Sequence, residues 1–370
     1  MQHRQPQTFL FIQDHLFGGG AERITLDIAE KLAESGHQVT LALLDATDIR
    51  MKIPPSIRFV DLAVETSLMQ GRLWRKRPPV SAQTQQKVAA LLAEVKPDTI
   101  IVGHWFGYLL SEYLTGNVWF WVHCEIFEGR QQQATLSRWF KELRRFLVER
   151  QSFRQRFAHR NLITVNQDLT ETYKTLSPST NIITIPNGVN LQRLNQNLPS
   201  TPSDRIWSVI YVGRLSAEKQ PEHALMAFEK SQIKGRMAIV GDGDQLSSLQ
   251  TLAHQLAIHD RVDFLGWQDC PQHFIQQSHM LILSSKTEGF GLVIAEALLL
   301  NVPVVAYGCS SGVRQQLNSP ELQRGIAEPQ NIDDLAQKLA DVYRQPYSIT
   351  PADQEALTLE PMAKAFESLK

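Results

Sequence analysis

Met280-Leu-Ile-Leu-Ser-Ser-Lys-Thr-Glu-Gly-Phe-Gly-Leu-Val-Ile-Ala-Glu-Ala-Leu-Leu-Leu300 decides the fold. Met280–Leu283 is a short, wholly apolar run, the pattern of a strand covered on both faces of a parallel sheet. Gly289 and Gly291 then break the run, and Gly291–Leu300 reads as an apolar helix. A buried strand, a glycine turn and a helix in that order form the repeating step of an α/β protein.

The same step recurs on both sides. Towards the C-terminus come the strand Val302–Tyr307 and the helix Asp333–Arg344. Towards the N-terminus lie the strands Ser208–Val212, Met237–Val240 and Val262–Leu265, with the helices Pro221–Lys230 and Gln245–Ile258. A first half repeats the rhythm through strands at Thr8–Gln13, Gln38–Leu44, Ile57–Leu62, Thr99–Gly103, Val118–His123, Leu162–Val165 and Ile182–Ile185. Its clearest helix is Ala21–Ser35, closed by Gly36. Strand–helix alternation predicts parallel sheets with helices on both faces. The polar stretch Asn195–Ser203, with two prolines, reads as a linker. The predicted domains are therefore 1–195 and 196–351, with a C-terminal helical pattern at Leu357–Leu369 (segment 352–370) packing back on the first.

A length of 370 residues suits two domains of roughly 150–200 residues each. Cys124, Cys270 and Cys309 are scattered without a CxxC pair, which excludes a disulfide framework and gives no metal-ligand spacing. No apolar stretch of about 18 residues is present, and the N-terminus lacks a signal pattern, so a cytoplasmic protein is expected. The net charge of −1 is far too small for a nucleic-acid binder.

Doubly wound sheets bind ligands beyond the carboxyl ends of their strands. Phe17-Gly-Gly-Gly-Ala-Glu-Arg23 follows the first strand, and its glycines would leave free N–H groups at a helix start, suiting an anion. Read alone, it is equally a plain tight turn. His123 ends the strand Val118–Val122, where an imidazole can bond a sugar hydroxyl or sit as a structural histidine. His104 follows another strand in the same manner. In Tyr211-Val-Gly-Arg-Leu-Ser-Ala-Glu-Lys219, Gly213 permits close approach, Arg214 offers a guanidinium fork and Lys219 a point charge; a lone basic pair is usually a solvated face, but two cations after a strand end read as a diphosphate site. Gly241-Asp-Gly-Asp244 contains Asp-x-Asp, but it reads better as a turn, with Asp244 capping the next helix, than as a metal site. In the opening stretch Glu288 stands at the helix entrance, and the amides of Phe290 to Leu292 face an anion. Glu296, inside an apolar helix, needs a partner such as a ribose diol, unless it is simply exposed.

Together these motifs resemble the retaining glycosyltransferases of family 4, which have the GT-B fold. Glu288 and Glu296, separated by seven residues, look like its signature. Gly-Gly before the first helix, Ile185-Pro-Asn-Gly-Val189, Val-Gly-Arg-Leu with Glu-Lys, and Gly-Asp-Gly occur in the family's order. The resemblance runs from about residue 8 to 345. It implies two Rossmann-like domains facing each other across a cleft that holds the active site. It places Gly19 and Gly20 by the diphosphate and acceptor, and His123 beside the donor sugar. Arg214 and Lys219, next to Gly213, would neutralise the leaving diphosphate. Glu288 with Gly289, Phe290, Gly291 and Leu292 would meet the sugar and phosphate, and Glu296 the ribose. No metal or other cofactor is expected.

A looser similarity is to bacterial lipopolysaccharide core and O-antigen glycosyltransferases, carried by Leu265-Gly-Trp-Gln268, Tyr307-Gly-Cys-Ser-Ser-Gly-Val-Arg314 and Pro329-Gln-Asn-Ile-Asp-Asp334. It implies a UDP-hexose donor and a glycan or glycolipid acceptor. Val313 departs from it, since several relatives carry Pro before the Arg. The rival expectations are a UDP-sugar 2-epimerase on the same fold and a non-catalytic nucleotide-sugar-binding partner. A nicotinamide dehydrogenase is disfavoured, because no strand–GxGxxG–helix is present. Eight basic residues between Arg138 and Arg160, interleaved with aromatics, read either as a helix lying on an anionic leaflet or as a packed helix with a solvated basic face. Arg72-Leu-Trp-Arg-Lys-Arg77 adds a second basic cluster. Acceptor choice is expected in loops 67–80 and 125–133.

Overall fold

The computed structural model describes residues 5–65, 69, 79–103, 106–124, 136–196, 198 and 205–370, with backbone alone for 136–142 and 145. His104, the basic cluster 72–77, the loop 125–133, most of the loop 67–80 and most of the expected linker lie outside the described residues. The chain divides into two compact units, Met1–Pro186 with Leu359–Lys370, and Asn187–Thr358.

In chain order, unit 1 holds β1 (Thr8–Gln13), α1 (Gly20–Glu34), β2 (Gln38–Leu43), β3 (Arg58–Asp61), α2 (Ala82–Val95), β4 (Thr99–Gly103), β5 (Val118–Val122), α3 (Leu136–Phe157), β6 (Asn161–Thr164), α4 (Gln167–Leu176) and β7 (Asn181–Thr184). Unit 2 holds α5 (Leu191–Asn195), β8 (Val209–Val212), α6 (Pro221–Lys230), β9 (Met237–Val240), α7 (Leu246–Gln255), β10 (Val262–Gly266), α8 (Pro271–Gln276), β11 (Leu281–Leu283), α9 (Leu292–Leu299), β12 (Val304–Tyr307), α10 (Ser311–Gln316), β13 (Ile326–Ala327), α11 (Ile332–Arg344) and α12 (Pro351–Glu355). α13 (Leu359–Phe366) closes the chain in unit 1.

Among the described residues, unit 1 has seven strands in the order β3-β2-β1-β4-β5-β6-β7 and unit 2 six in the order β10-β9-β8-β11-β12-β13. Every pairing is parallel. Each unit is thus a Rossmann-like α/β layer, as the sequence predicts. The central strands are apolar along their whole length because helices cover both faces; β4, β5, β9 and β12 are buried throughout. In each sheet the strand order reverses direction once, between β1 and β4 and between β8 and β11. Such a switch point leaves a crevice at the carboxyl ends of those two strands.

The division falls nine residues before the predicted break at 195/196, and at Thr358/Leu359 rather than 351/352. The cause is local pairing. Val189 bridges Thr358, and its amide donates to the Leu357 carbonyl at 2.8 Å, which binds the stretch before α5 to the end of unit 2. α13 returns to unit 1 by its apolar face. Phe366 is fully buried, with its ring 6.3 Å from Phe11 of β1 and 5.1 Å from Trp121 of β5. Its periodic apolar residues Leu359, Met362, Ala363 and Phe366 make that face.

One capping expectation is corrected. Asp244 does not cap α7; Gln245 holds the cap position with no side-chain bond. The turn is instead closed by the Asp242 carboxylate, which accepts from the Gly243 amide at 2.7 Å.

Candidate functional site

The loops after β8 and β11 meet at the switch point of unit 2. Ser284 Oγ, fully buried, donates to the Gln220 carbonyl at 2.7 Å and to the Lys219 carbonyl at 3.3 Å. The Lys286 amide donates to the Glu218 carbonyl at 2.9 Å, and Thr287 Oγ1 reaches the Glu218 carboxylate at 3.3 Å. These bonds bring the predicted cation loop and the predicted Glu288 loop together. Lys219 Nζ lies 2.8 Å from Glu288 Oε1, and Ser285 Oγ donates to the same oxygen at 2.9 Å. The Glu288 side chain is 10% exposed and that of Lys219 26%. A half-buried pair of this kind holds each partner in one orientation.

Arg214 is exposed and stands on a fixed backbone. Its carbonyl accepts from the Tyr211 hydroxyl at 3.1 Å. Burial, with Glu288 nearby, pushes that hydroxyl well above its usual range, so it remains a neutral donor. On either side, the Gly213 amide donates to Val240 at 3.0 Å and the Leu215 amide to Asp242 at 2.9 Å. The loop after β9 passes so close that a Cβ on Gly241 would sit 1.9 Å from the Gly213 carbonyl oxygen, and one on Gly243 2.2 Å from that of Leu215. Gly-Asp-Gly is therefore the backing against which Gly213 and Arg214 are placed.

Gly291 adopts φ +81° and precedes α9, whose first turn carries no side-chain cap. Phe290 is buried between Gly289 and Gly291. Glu296 is half-buried on α9 and accepts from Gln272 Nε2 of α8 at 3.2 Å. The expected need for a partner is met in part by this protein side chain. Cys309 lies near the same charges, but burial first and Glu288 second push its thiol up to about 12, which removes it as a nucleophile near neutral pH.

Unit 1 differs from expectation. The amides of Gly18 and Gly19 are not free for an anion. Glu22 fills them, accepting from Gly18 at 2.7 Å and more closely from Gly19. The reason is helix geometry: Glu22 is the third residue of α1, where a carboxylate folds back on the residues before the helix. His15 Nδ1 lies 3.1 Å from the same carboxylate, and its ring stacks on Phe17 at 3.8 Å. Gly20 begins α1 itself. His123 follows β5 directly, is half-buried, and has its ring 4.3 Å from that of Trp121.

The structure thus joins Gly213, Arg214, Lys219, Glu288, Gly289, Phe290, Gly291 and Leu292 in one region of unit 2, with Glu296 further along α9. It places Gly19, Gly20 and His123 on unit 1. Sequence reading missed Ser284, Ser285, Tyr211 and Gln272 as supports. A Ser-Ser after a buried strand was the available signal for the first two; nothing local marks Gln272.

Comparison with known proteins bears on the fold and the family. Residues 18–193 match the family described as Glycosyltransferase Family 4, and residues 199–356 match Glycosyl transferases group 1. An uncharacterized glycosyltransferase of Haemophilus influenzae is 24% identical over 343 residues, 89% of this chain and 88% of that protein. The lipopolysaccharide 1,6-galactosyltransferase of Salmonella typhimurium is 30% identical over 144 residues, 37% of this chain and 40% of its own. Among solved structures, Anabaena HepE in complex with UDP and glucose superposes with a TM-score of 0.70 at 18% identity, covering 97% of this chain and 98% of that one. The outer core galactosyltransferase WaaB, in its apo form, gives 0.67 at 18% identity, covering 98% of each chain. Two Rossmann-like units, each a parallel sheet whose strand order reverses once, are the fold of the GT-B glycosyltransferases. The chain belongs to the family 4, group 1 glycosyltransferases.

Proposed function

We propose that the protein moves a hexose from a nucleotide-sugar, a UDP-hexose, to a glycan or glycolipid acceptor of bacterial surface polysaccharide, with retention and without a metal. The observation that carries this reading is the joining of Arg214, Lys219, Glu288 and the start of α9 at one switch point. HepE, of the same fold, is described with UDP and glucose bound, and galactosyltransferases of lipopolysaccharide share sequence with this chain.

As the anomeric C–O bond breaks, negative charge grows on the departing diphosphate. Fixed cations and helix-end amides placed where that charge develops lower the barrier. Arg214 offers a two-pronged grip, Lys219 a point charge, and the amides before α9 their dipoles. Glu288, held by Lys219 and Ser285, would accept from a sugar hydroxyl with its remaining capacity. Glu296 takes the ribose. On unit 1, His123 is assigned to the donor sugar, and Gly19 and Gly20 to the diphosphate and acceptor through close backbone approach, since Glu22 occupies the Gly19 amide.

The test is nucleotide release from a panel of UDP-, GDP- and ADP-hexoses, with and without EDTA. Slow hydrolysis of the UDP donor, unchanged by EDTA, is expected. Loss of activity in EDTA would overturn the metal-free reading and bring Asp242 and Asp244 forward. A rearranged sugar formed without acceptor would mean a 2-epimerase, and nucleotide binding without turnover a non-catalytic partner.

A membrane contact rests on α3. Phe153 and Phe157 at its C-terminal end are fully buried, so that end is core. Its middle turn exposes Leu147 (57%) and Val148 (49%) beside the exposed Arg144. Among the described residues, no helix is long and apolar enough to cross a membrane. Co-sedimentation with vesicles containing anionic lipid is expected, and a Leu147→Glu, Val148→Glu double variant should reduce it several-fold. Pelleting that is unchanged when anionic lipid is removed would refute the electrostatic part.

A further inference from the structure

Gln316, the last residue of α10, is 3% exposed. Its side-chain amide contacts two carbonyl oxygens, that of Phe290 at 2.5 Å and that of Gly312 at 3.1 Å. Both partners are acceptors, so the nitrogen must face them. The amide oxygen then has no hydrogen-bond partner among the described residues. An apolar side chain would fill the same volume without burying an unmatched oxygen, which is costly. The position is therefore spent on the two bonds the nitrogen makes.

We propose that Gln316 is a positioning residue of the donor site, anchoring the Phe290–Gly291 peptide so that the Gly291 N–H is presented to the donor's diphosphate. The inference rests on the transferase reading above. The peptide unit is planar and trans, so its C=O and N–H point in opposite directions. Fixing the Phe290 carbonyl inwards on Gln316 aims the Gly291 amide outwards, at the start of α9 where an anion is favoured. A hydrogen bond on the carbonyl also polarises the peptide and strengthens its N–H as a donor. The other degrees of freedom are already taken. The Phe290 ring is buried, and Gly291 is held at φ +81°, with room for a Cβ only 3.3 Å from Ile294 Cδ1. Gln316 touches no substrate in this scheme; it acts through the peptide it holds.

The experiment compares wild type with Gln316→Met, which keeps length and shape and loses the donor. Wild type is first titrated with UDP, GDP and ADP, and the tightest is paired with its own nucleoside. Affinity for the diphosphate is expected to fall about tenfold in the variant, with affinity for the nucleoside within about twofold. Equal weakening of both ligands, or no change in either, overturns the positioning role. Nucleoside binding also reports that the variant is folded. Should Gln316→Met fail that control, Gln316→Glu, whose carboxylate cannot donate to the Phe290 carbonyl, replaces it with the same expected split. Wild type that binds the diphosphate no better than the nucleoside would instead sink the donor-site reading itself.

Discussion

Arg214→Ala is expected to cut turnover about a hundredfold or more while leaving the melting temperature almost unchanged. The two halves of that result have separate causes. The side chain is exposed, so its removal opens no cavity. Its backbone is held from three directions, by Tyr211 on its own carbonyl, by Val240 on Gly213 and by Asp242 on Leu215. Truncation therefore leaves the loop in place and removes the guanidinium with its own contacts. The firmly held backbone fixes where the guanidinium starts from, which limits the reorganisation needed when charge develops. Arg214→Lys restores charge without the fork and should recover only part of the rate. Steady-state turnover with the best donor of the panel, beside a thermal melt, checks both halves. A loss under threefold would remove Arg214 from the machinery.

Gly241→Ala should do the reverse and damage the fold first. The new methyl would lie 1.9 Å from the Gly213 carbonyl oxygen, and Gly241 is held at φ +140°, which side chains rarely adopt. Steric overlap and backbone strain together put the cost at about 2–4 kcal/mol. For a chain with units of this size, that corresponds to a fall in melting temperature of roughly 5–15 °C. Activity should fall as well, because parting the two loops disturbs the backing of the strand end that carries Arg214. A variant with unaltered melting would show that the two loops do not press on each other in solution.

How much of this was legible beforehand follows from what each signal depends on. Parallel strands are written as apolar runs, which places twelve within a few residues of their observed limits, the largely exposed β3 among them. The thirteenth, Ile326–Ala327, is two residues long and has no pattern to read. Motifs that follow a strand directly were found, because chain order puts them at a strand end whatever the tertiary detail. Partnerships across the chain were not. Nothing near Glu296 announces Gln272, 24 residues earlier, and nothing near Phe290 announces Gln316. The glycine loop after β1 was misjudged for a different reason. Its amides were considered without Glu22, although a carboxylate at the third helical position is itself a sequence signal. The unit boundary was misplaced because composition marks polar stretches, whereas the division follows the pairing of Val189 with Thr358.

The return of α13 to unit 1 has a consequence for biosynthesis. Unit 2 is one uninterrupted segment, Asn187–Thr358, and has all of its core once Thr358 is available. Unit 1 begins earlier on the ribosome, yet waits for Phe366 to cover Phe11 and Trp121. Domains ordinarily mature in the order in which they are translated. Here the later-made unit can finish first, and the earlier one carries an uncovered apolar face until α13 emerges.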